Sequence, residues 1–403
     1  VATATGSATN VADTATGNNP IAEGYKIMHG EEDVTANYTI TTEAGTLTIN
    51  PRPVTLTSAD AEKEYDGSPL TVTTVTVSYD GFAEGEGAVY DISGSQTLVG
   101  SSFNSFTYRL NLNTKASNYN ITKNEGILSV VNRTARYEIV LEANSMNTKY
   151  DGTEKTVSGF KTLSFTFDGV NYTVEGVSAS VSATHAGEYP LIINNNGKVY
   201  DENHHDVTDQ FALSVIGGNL CIEKRQITFV SGSAEKEYDG TVLKNEEVQI
   251  TGDGFASGEG AQFDVYGEQL VAGSSENNFS YTLNENTLSS DYEILEERGR
   301  LSVTRREKQY EITVKANSAE AVYDGKVHTV SGFETLRFTQ NGQTFTVSGL
   351  SASASGQNAG SYTAEVTGEA IVKDSRGNDV TSEFIVHTEN GTLNIEKRTV
   401  TLT

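Results

Sequence analysis

The sequence predicts an all-β chain: a tandem array of small β-sandwich or β-grasp-like domains forming an elongated rod. Three observations predict it. Threonine, valine, serine, glycine and tyrosine are abundant while tryptophan is absent, a composition that suits pleated strands and tight turns. No twelve-residue window carries apolar residues at the i, i+3, i+4, i+7 spacing of an amphipathic helix. And the chain repeats itself. Glu62-Lys63-Glu64-Tyr65-Asp66-Gly67 returns as Glu235-Lys236-Glu237-Tyr238-Asp239-Gly240. A looser Tyr-Asp-Gly recurs at Tyr150-Asp151-Gly152 and Tyr323-Asp324-Gly325. Tyr65 and Tyr238 lie 173 positions apart, as do Tyr150 and Tyr323. Self-similarity at a fixed period is the signature of repeated structural units.

Taken in order, residues 1–49 read as the C-terminal part of a truncated repeat, because Asn37-Tyr38-Thr39-Ile40 and Gly45-Thr46-Leu47-Thr48-Ile49 match the end of each later unit. Val1 thus falls inside a repeat, and the stretch reads as a piece of a longer chain. Residues 50–131 form a first complete unit, type A. Val54 to Thr57 and Thr71 to Ser78 alternate at period two, as half-buried strands do. Gln96 to Val99 and Phe106 to Tyr108 are expected as one hairpin turning near Gly100. Tyr119 to Ile121 and Ile127 to Val130 are expected as a closing hairpin. Residues 132–222 are type B, with a hairpin of Phe165 to Phe167 and Tyr172 to Val174 turning through Asp168-Gly169. Residues 223–304 repeat type A and 305–396 repeat type B. Residues 397–403 begin a further type A strand, since Arg398 to Thr403 echoes Arg52 to Thr57. Each unit is expected to pack its own small core and to melt nearly independently.

Asp-Gly is a turn signal, because the aspartate bonds the backbone ahead and glycine tolerates positive φ. A preceding tyrosine packs its ring. Tyr-Asp-Gly therefore reads as a packed aromatic followed by a chain reversal: a structural motif of Tyr65, Asp66, Gly67, Tyr150, Asp151, Gly152, Tyr238, Asp239, Gly240, Tyr323, Asp324 and Gly325. The junctions between units contain no glycine or serine. Asn50-Pro51-Arg52-Pro53, Glu223-Lys224-Arg225 and Arg305-Arg306-Glu307-Lys308 are short, charged and stiff. Ten-residue strands give roughly 35–45 Å per unit and a monomeric rod on the order of 170–200 Å.

A formal net charge of −26 argues against nucleic acid and anionic membrane surfaces. No apolar run reaches 18 residues, so no helix inserts in a membrane. One cysteine, Cys221, excludes an internal disulfide framework and is expected on an outward strand position.

The run Gly81 to Gly87, the run Gln96 to Ser102, Asp66-Gly67 and the ending Asn118 to Ile121 with Gly126 to Leu128 resemble the YDG-type repeats of bacterial cell-surface proteins. In type B, Val157 to Phe160, Ala186 to Tyr189 and Asp206 to Thr208 resemble the related MBG-type repeats. The resemblance covers nearly the whole chain. It implies small β-rich domains in a wall-anchored or secreted protein, Gram-positive by the family's habit. There the repeats form a stalk that projects an adhesive tip.

No catalytic or cofactor-binding constellation is present: no Gly-x-Ser-x-Gly occurs, and the six histidines do not recur in register with a nucleophile. The chain is read as no enzyme. Calcium is the one ion considered, on Asp374, Asn378 and Asp379, against a solvated acidic turn. His204-His205 reads as a polar turn, since adjacent strand positions point to opposite faces. Gly252 to Gly260 imitates a phosphate cradle but carries acidic residues and opens no helix. Lys63 and Lys236, with Asp91 and Asp264, are weighed as isopeptide partners against ordinary surface lysines. The alternative to a stalk is that single repeats grip a host glycoprotein, mucin or immunoglobulin. That reading requires an apolar patch in one repeat that its copy lacks, and Phe103 against Glu276 is such an asymmetry.

Overall fold

In the computed structural model, which describes residues 1–402, strands carry nearly all the regular structure. The helical pieces among the described residues are six three-residue 3-10 turns. The fold is all-β, built as a series of small sandwich-like domains. The chain divides into two compact units. One holds Val1–Ser145 with Val157–Val181 and Pro190–Asn219; the other holds Met146–Thr156, Ser182–Tyr189 and Leu220 onward. The division passes through the repeat 132–222, not along a repeat boundary.

One device recurs in every complete repeat: the first and last strands run side by side in parallel. In 50–131, Arg52–Ser58 pairs with Tyr119–Asn124, Arg52 opposite Tyr119 and Thr57 opposite Asn124. The same two segments then pair again, with Ala61–Glu64 alongside Gly126–Val131. Repeat 223–304 does this with Arg225–Ser231 and Tyr292–Glu297, then Ala234–Glu237 and Arg300–Thr304. Repeat 305–396 does it with Tyr310–Lys315 and Phe384–Glu389, then Ala319–Val322 and Gly391–Glu396. In 132–222 the first part of the ladder, Tyr137–Glu142 with Phe211–Ile216, lies in the first compact unit. The second part, Met146–Lys149 with Leu220–Glu223, lies in the other.

Two hairpin expectations are corrected by this ladder. Tyr119–Asn124 and Gly126–Val131 do not form a closing hairpin; they are successive lengths of one strand direction. Gly126 is there because a Cβ would collide with the Ser58 and Ala59 backbone, so it marks a close approach rather than a turn. Nor do Gln96 to Val99 and Phe106 to Tyr108 face each other. Phe106–Leu110 pairs with Ala88–Ile92, and Gly100–Asn104 is itself a strand on Gly126–Val130. The alternating run before Ser78 becomes strand only over Val75–Tyr79. The type B hairpin is found as expected, with Phe167 opposite Val170 and positive φ at Asp168 and Gly169.

A buried polar node holds the type A ladder where it breaks. Ser58 donates to the Asn104 carbonyl at 2.6 Å and accepts from the Gly126 N–H at 2.9 Å. The Asn104 amide donates to the carbonyls of Ala59 and Val72. Ser231, Asn277 and Gly299 repeat the node. Above it, Val54 and Leu56 of the first strand and Tyr119 of the last strand beside it pack with Phe106 in one core. Repeat 305–396 adds two fourteen-residue strands, Gln343–Gly356 and Gly360–Lys373, paired antiparallel through a bulge at Ser348/Leu350.

The outer segments show what the ladder supplies. Residues 1–49 contain no buried residue. The lengths matched to last strands, Tyr38 to Ile40 and Gly45 to Ile49, form no strand there. Leu47 is half-buried, where its matches Leu128, Leu220, Leu301 and Leu393 are buried. The expected strand at 397–403 is likewise not found over 397–402; Thr403 lies outside the described residues. A strand needs a neighbour to satisfy its backbone groups, and none of the described residues pairs with either segment as the ladder strands pair.

Candidate functional site

The repeated Tyr-Asp-Gly sits where the first strand ends, at the junction with the following repeat. The N–H groups of Tyr65, Tyr150, Tyr238 and Tyr323 donate to the carbonyls of Val131, Glu223, Thr304 and Glu396, each at 2.9 Å. Each is the final rung of its parallel ladder. The chain then reverses as the sequence predicts. Asp66 accepts from the Ser68 N–H and hydroxyl, both at 2.8 Å, and from the Lys63 ammonium at 2.6 Å. Partial burial pushes the Asp66 carboxyl up, but Lys63 and Ser68 outweigh it and leave it below the usual carboxylate range. Asp239 is held the same way by Lys236 and Thr241. Lys155 and Thr153 hold Asp151 low, and the Lys326 N–H with His328 lowers Asp324.

The tyrosine ring is where expectation and structure part. At Tyr65, Tyr150 and Tyr238 it is planted in the next repeat; Tyr65 shares that core with Leu70, Leu98 and Val130 of its own. Tyr65 and Val130 belong to the same core as Ile139, Leu141, Tyr172, Val174 and Phe211. Tyr238 and Val303 join Ile312, Val314, Phe345, Val372 and Phe384. Each A repeat therefore shares a core with the B repeat after it, beside a core such as that of Val54 and Leu56 which is its own, and this corrects the expectation that each unit packs only its own core. Tyr150 reaches into the repeat 223–304, where its ring stands 5.8 Å from Tyr292 and its hydroxyl donates to Glu259. Tyr238 is 0 % exposed, whereas Tyr323 is 39 % exposed. Glycine follows because the backbone turns at φ +78° at Gly67, and a Cβ would run into the Tyr172 hydroxyl. The Tyr65, Tyr172 and Tyr238 hydroxyls are buried with no hydrogen-bond partner. Burial holds all three above the ordinary phenol value.

An arginine from each of the three linkers that join complete repeats clasps the tyrosine's backbone. Arg133 donates to the Tyr65 carbonyl at 3.0 Å and to the Tyr137 hydroxyl at 2.9 Å, with its guanidinium 3.8 Å over the Tyr137 ring. Arg306 does the same to Tyr238 and Tyr310, at 3.0 Å each and 4.0 Å over the ring. Arg225 donates to the Tyr150 carbonyl at 3.2 Å and to the carbonyls of Asp253 and Gly254. Its fork holds the start of the Gly252 to Gly260 run, and Lys149 and Tyr150 of the preceding repeat reach the same run at Asp253 and Glu259. Arg52 makes the matching bonds to Asp80 and Gly81. Burial, with Asp168 accepting its hydroxyl, pushes Tyr137 up to about 12.

A polar side chain closing the 3-10 turn before the last strand of each complete repeat completes the junction. Asn118, Gln210, Asp291 and Glu383 stand directly before the last strand. Gln210 and Glu383 each accept, at 3.0 Å, from the N–H of the clasping arginine, Arg133 and Arg306. Asp291, fully buried, accepts from Ala186 N–H at 2.7 Å and pairs with His185 Nδ1 at 2.8 Å. Asn118 accepts from Val11 N–H at 3.0 Å. Sequence reasoning did not join these four as a set because their identities differ. The usable signal was position, always one residue before a buried Tyr or Phe.

The other singled-out residues lie in turns and on strands. Asp374 is saturated by its own loop, accepting from Arg376 N–H, Asn378 N–H and the Asn378 amide. Asp379 accepts from Thr381. Asp374 and Asp379 are thus engaged with protein donors, of which Asn378 is one, and no group of three or more His, Cys, Asp or Glu among the described residues is placed to hold a metal. His204 and His205 lie in a turn, His204 stacked on Tyr200 and His205 bonded to Asp201. Lys63 and Lys236 serve Asp66 and Asp239; Asp91 and Asp264 lie on the separate strands Ala88–Ile92 and Ala261–Val265. Cys221 is a free thiol between buried Leu220 and Ile222. An open cleft of 830 Å³ beside Tyr65 is lined by Lys198, Asp206 and Gln210, but Lys198 and Asp206 pair with each other at 2.7 Å. No helix among the described residues is long and apolar enough to cross a membrane.

No protein-family model matches the chain, and no curated protein matches it. Among solved structures, the N-terminal four Ig domains of Dscam1 isoform 9.44 align at 10% identity and TM-score 0.16, over 85% of this chain and 97% of that one. Drosophila N-cadherin EC1-4 aligns at 10% identity and TM-score 0.15, over 86% and 100%. The Bacillus anthracis TIE protein aligns at 12% identity and TM-score 0.14, over 71% and 54%. Scores this low carry no functional argument.

Proposed function

We propose that these repeats are the structural stalk of a bacterial surface protein of the YDG/MBG-repeat kind, holding a functional domain away from the cell. The observation that carries this reading is the junction. At three successive boundaries a tyrosine is planted in the next repeat and its carbonyl is clasped by the linker arginine. A linker that buries an aromatic and spends its arginine on fixed carbonyls has little freedom left. Extracellular display suits the strand composition, the net charge of −26 and the free-standing turns. Small-angle X-ray scattering of the chain tests the reading. A maximum dimension of roughly 170–200 Å is expected from strand rise per repeat; a compact particle near half that length refutes it.

A second reading, that a repeat also grips a host glycoprotein, mucin or immunoglobulin, is favoured by one asymmetry. Phe103 and Ile127 face each other across Gly100–Asn104 and Gly126–Val131 and are 65 % and 49 % exposed. Their copies are the charged pair Glu276 and Arg300. Binding of purified mucin and immunoglobulin to the chain, lost in Phe103→Glu/Ile127→Arg, is the expected result of this reading. Equal binding by both proteins, or by neither, removes it.

A further inference from the structure

We propose that the ladder between first and last strands is a tension clamp: each repeat is built to resist pulling along the chain, beyond holding its neighbours apart. The inference rests on the stalk reading for its biological setting, but its physics stands on the topology alone.

The chain enters each repeat through the first strand and leaves through the last. Because these two strands are parallel and adjacent, a pull on the two ends drags them in opposite directions along their common axis. Every rung is then loaded at once, in shear. Were the two strands antiparallel with both ends at one side, the same pull would open rungs one at a time. The clamp is long: six paired positions from Tyr310/Phe384 to Lys315/Glu389, four more from Ala319/Leu393 to Val322/Glu396, and the Tyr323 N–H rung on Glu396. Both other fully paired ladders, in 50–131 and 223–304, match it.

The remaining features remove slack from this path. In type A the ladder breaks only at the buried Ser58–Asn104 and Ser231–Asn277 nodes, which pin the break to a third strand segment. The last rung, Tyr238 N–H on Thr304, is followed two residues later by Arg306, which donates back to the same tyrosine's carbonyl. Force leaving one ladder therefore enters the next within a few residues, with the junction core closed over it. Resistance of this kind is a barrier to unfolding and is read as a rate or a force.

The test pulls the full chain in two directions. Handles at the two ends load every ladder in shear. Handles at Lys308→Cys and Ser382→Cys, in a Cys221→Ser background, load only repeat 305–396. Both positions are exposed and precede Tyr310 and Phe384 at the same end of the ladder, so this pull peels it. At equal loading rate, the end-to-end geometry is expected to need at least twofold more force for release of a repeat. Each release in the end-to-end geometry lengthens the chain by the contour of one repeat, roughly 270–330 Å before subtracting its folded length, and release between 308 and 382 by roughly 245–265 Å. Equal or lower force through the ends overturns the clamp. The length of the array at low force, before any release, reports the stalk reading separately: a slack, short array refutes the stalk, while the force ratio still decides the clamp.

Discussion

Replacing Tyr238 separates a tyrosine that serves its own repeat from one that serves the next. Its side chain is fully buried among Ile312, Val314, Phe345 and Phe384. A buried aromatic of about 150–250 Å², at about 25 cal/mol per Å², sets an upper bound near 4–6 kcal/mol. Aromatic-to-alanine changes in cores cost about 3–5 kcal/mol. The hydroxyl works against the ring, since it is buried without a partner and such a group costs about 1–3 kcal/mol. Tyr238→Ala should therefore destabilise by about 3–5 kcal/mol, and Tyr238→Phe should be neutral or stabilising by about 1 kcal/mol. Tyr323→Ala, at a partly exposed ring, should cost less than about 1 kcal/mol. Calorimetry of the full chain reads this as a fall of about 6–20 °C in the transition covering 223–396 for Tyr238→Ala, taking about 2–4 °C per kcal/mol for that size. Tyr238→Ala melting like Tyr323→Ala, or Tyr238→Phe melting as low as Tyr238→Ala, refutes the reasoning.

Arg306→Met leaves the Tyr238 carbonyl without its cationic donor and should cost about 1.5–3 kcal/mol in urea unfolding, with loss confined to the transition that covers 223–396. Gly67→Ala meets both positive φ and the Tyr172 hydroxyl, while Gly325→Ala at φ +84° meets open space; the first should lower the melting temperature clearly more than the second. Lys198 and Thr208 hold the Asp206 carboxyl at about 2. Between roughly pH 4 and pH 2 the unfolded carboxyl, near 3.9, binds more protons than the folded one, so stability rises with pH there and is fully present above. Asp206→Asn should flatten the fall in melting temperature across that window. In an ultraviolet titration Tyr137 and Tyr292, each pushed up to about 12 by burial and a neighbouring carboxylate, should ionise well above the ordinary phenol value near 10; Asp168→Asn should bring Tyr137 forward.

The repeat period, the all-β class and the Asp-Gly turns were legible because each depends on local chemistry. Asp168-Gly169 makes its two-residue turn in any context that offers two strands. The parallel ladder was not legible. Glycine at 126 suggests a turn from sequence, and only the Ser58 backbone lying against it turns that glycine into a point of contact. Strands distant in sequence leave no local trace of which one they join. The tyrosine's destination was hidden for the same reason: a ring that packs forward into another repeat and one that packs backward look alike in sequence. Asn118, Gln210, Asp291 and Glu383 escaped because function there sits in position and hydrogen-bonding capacity, which four different residues supply.

The central claim is that the tyrosine closing one repeat is part of the next repeat's core. Amide hydrogen exchange on Tyr238→Ala measures it most directly. The account predicts faster exchange in 305–396, at Ile312, Phe345, Val372 and Phe384, as well as near Thr304. Acceleration confined to 223–304, with those four amides unchanged, contradicts it.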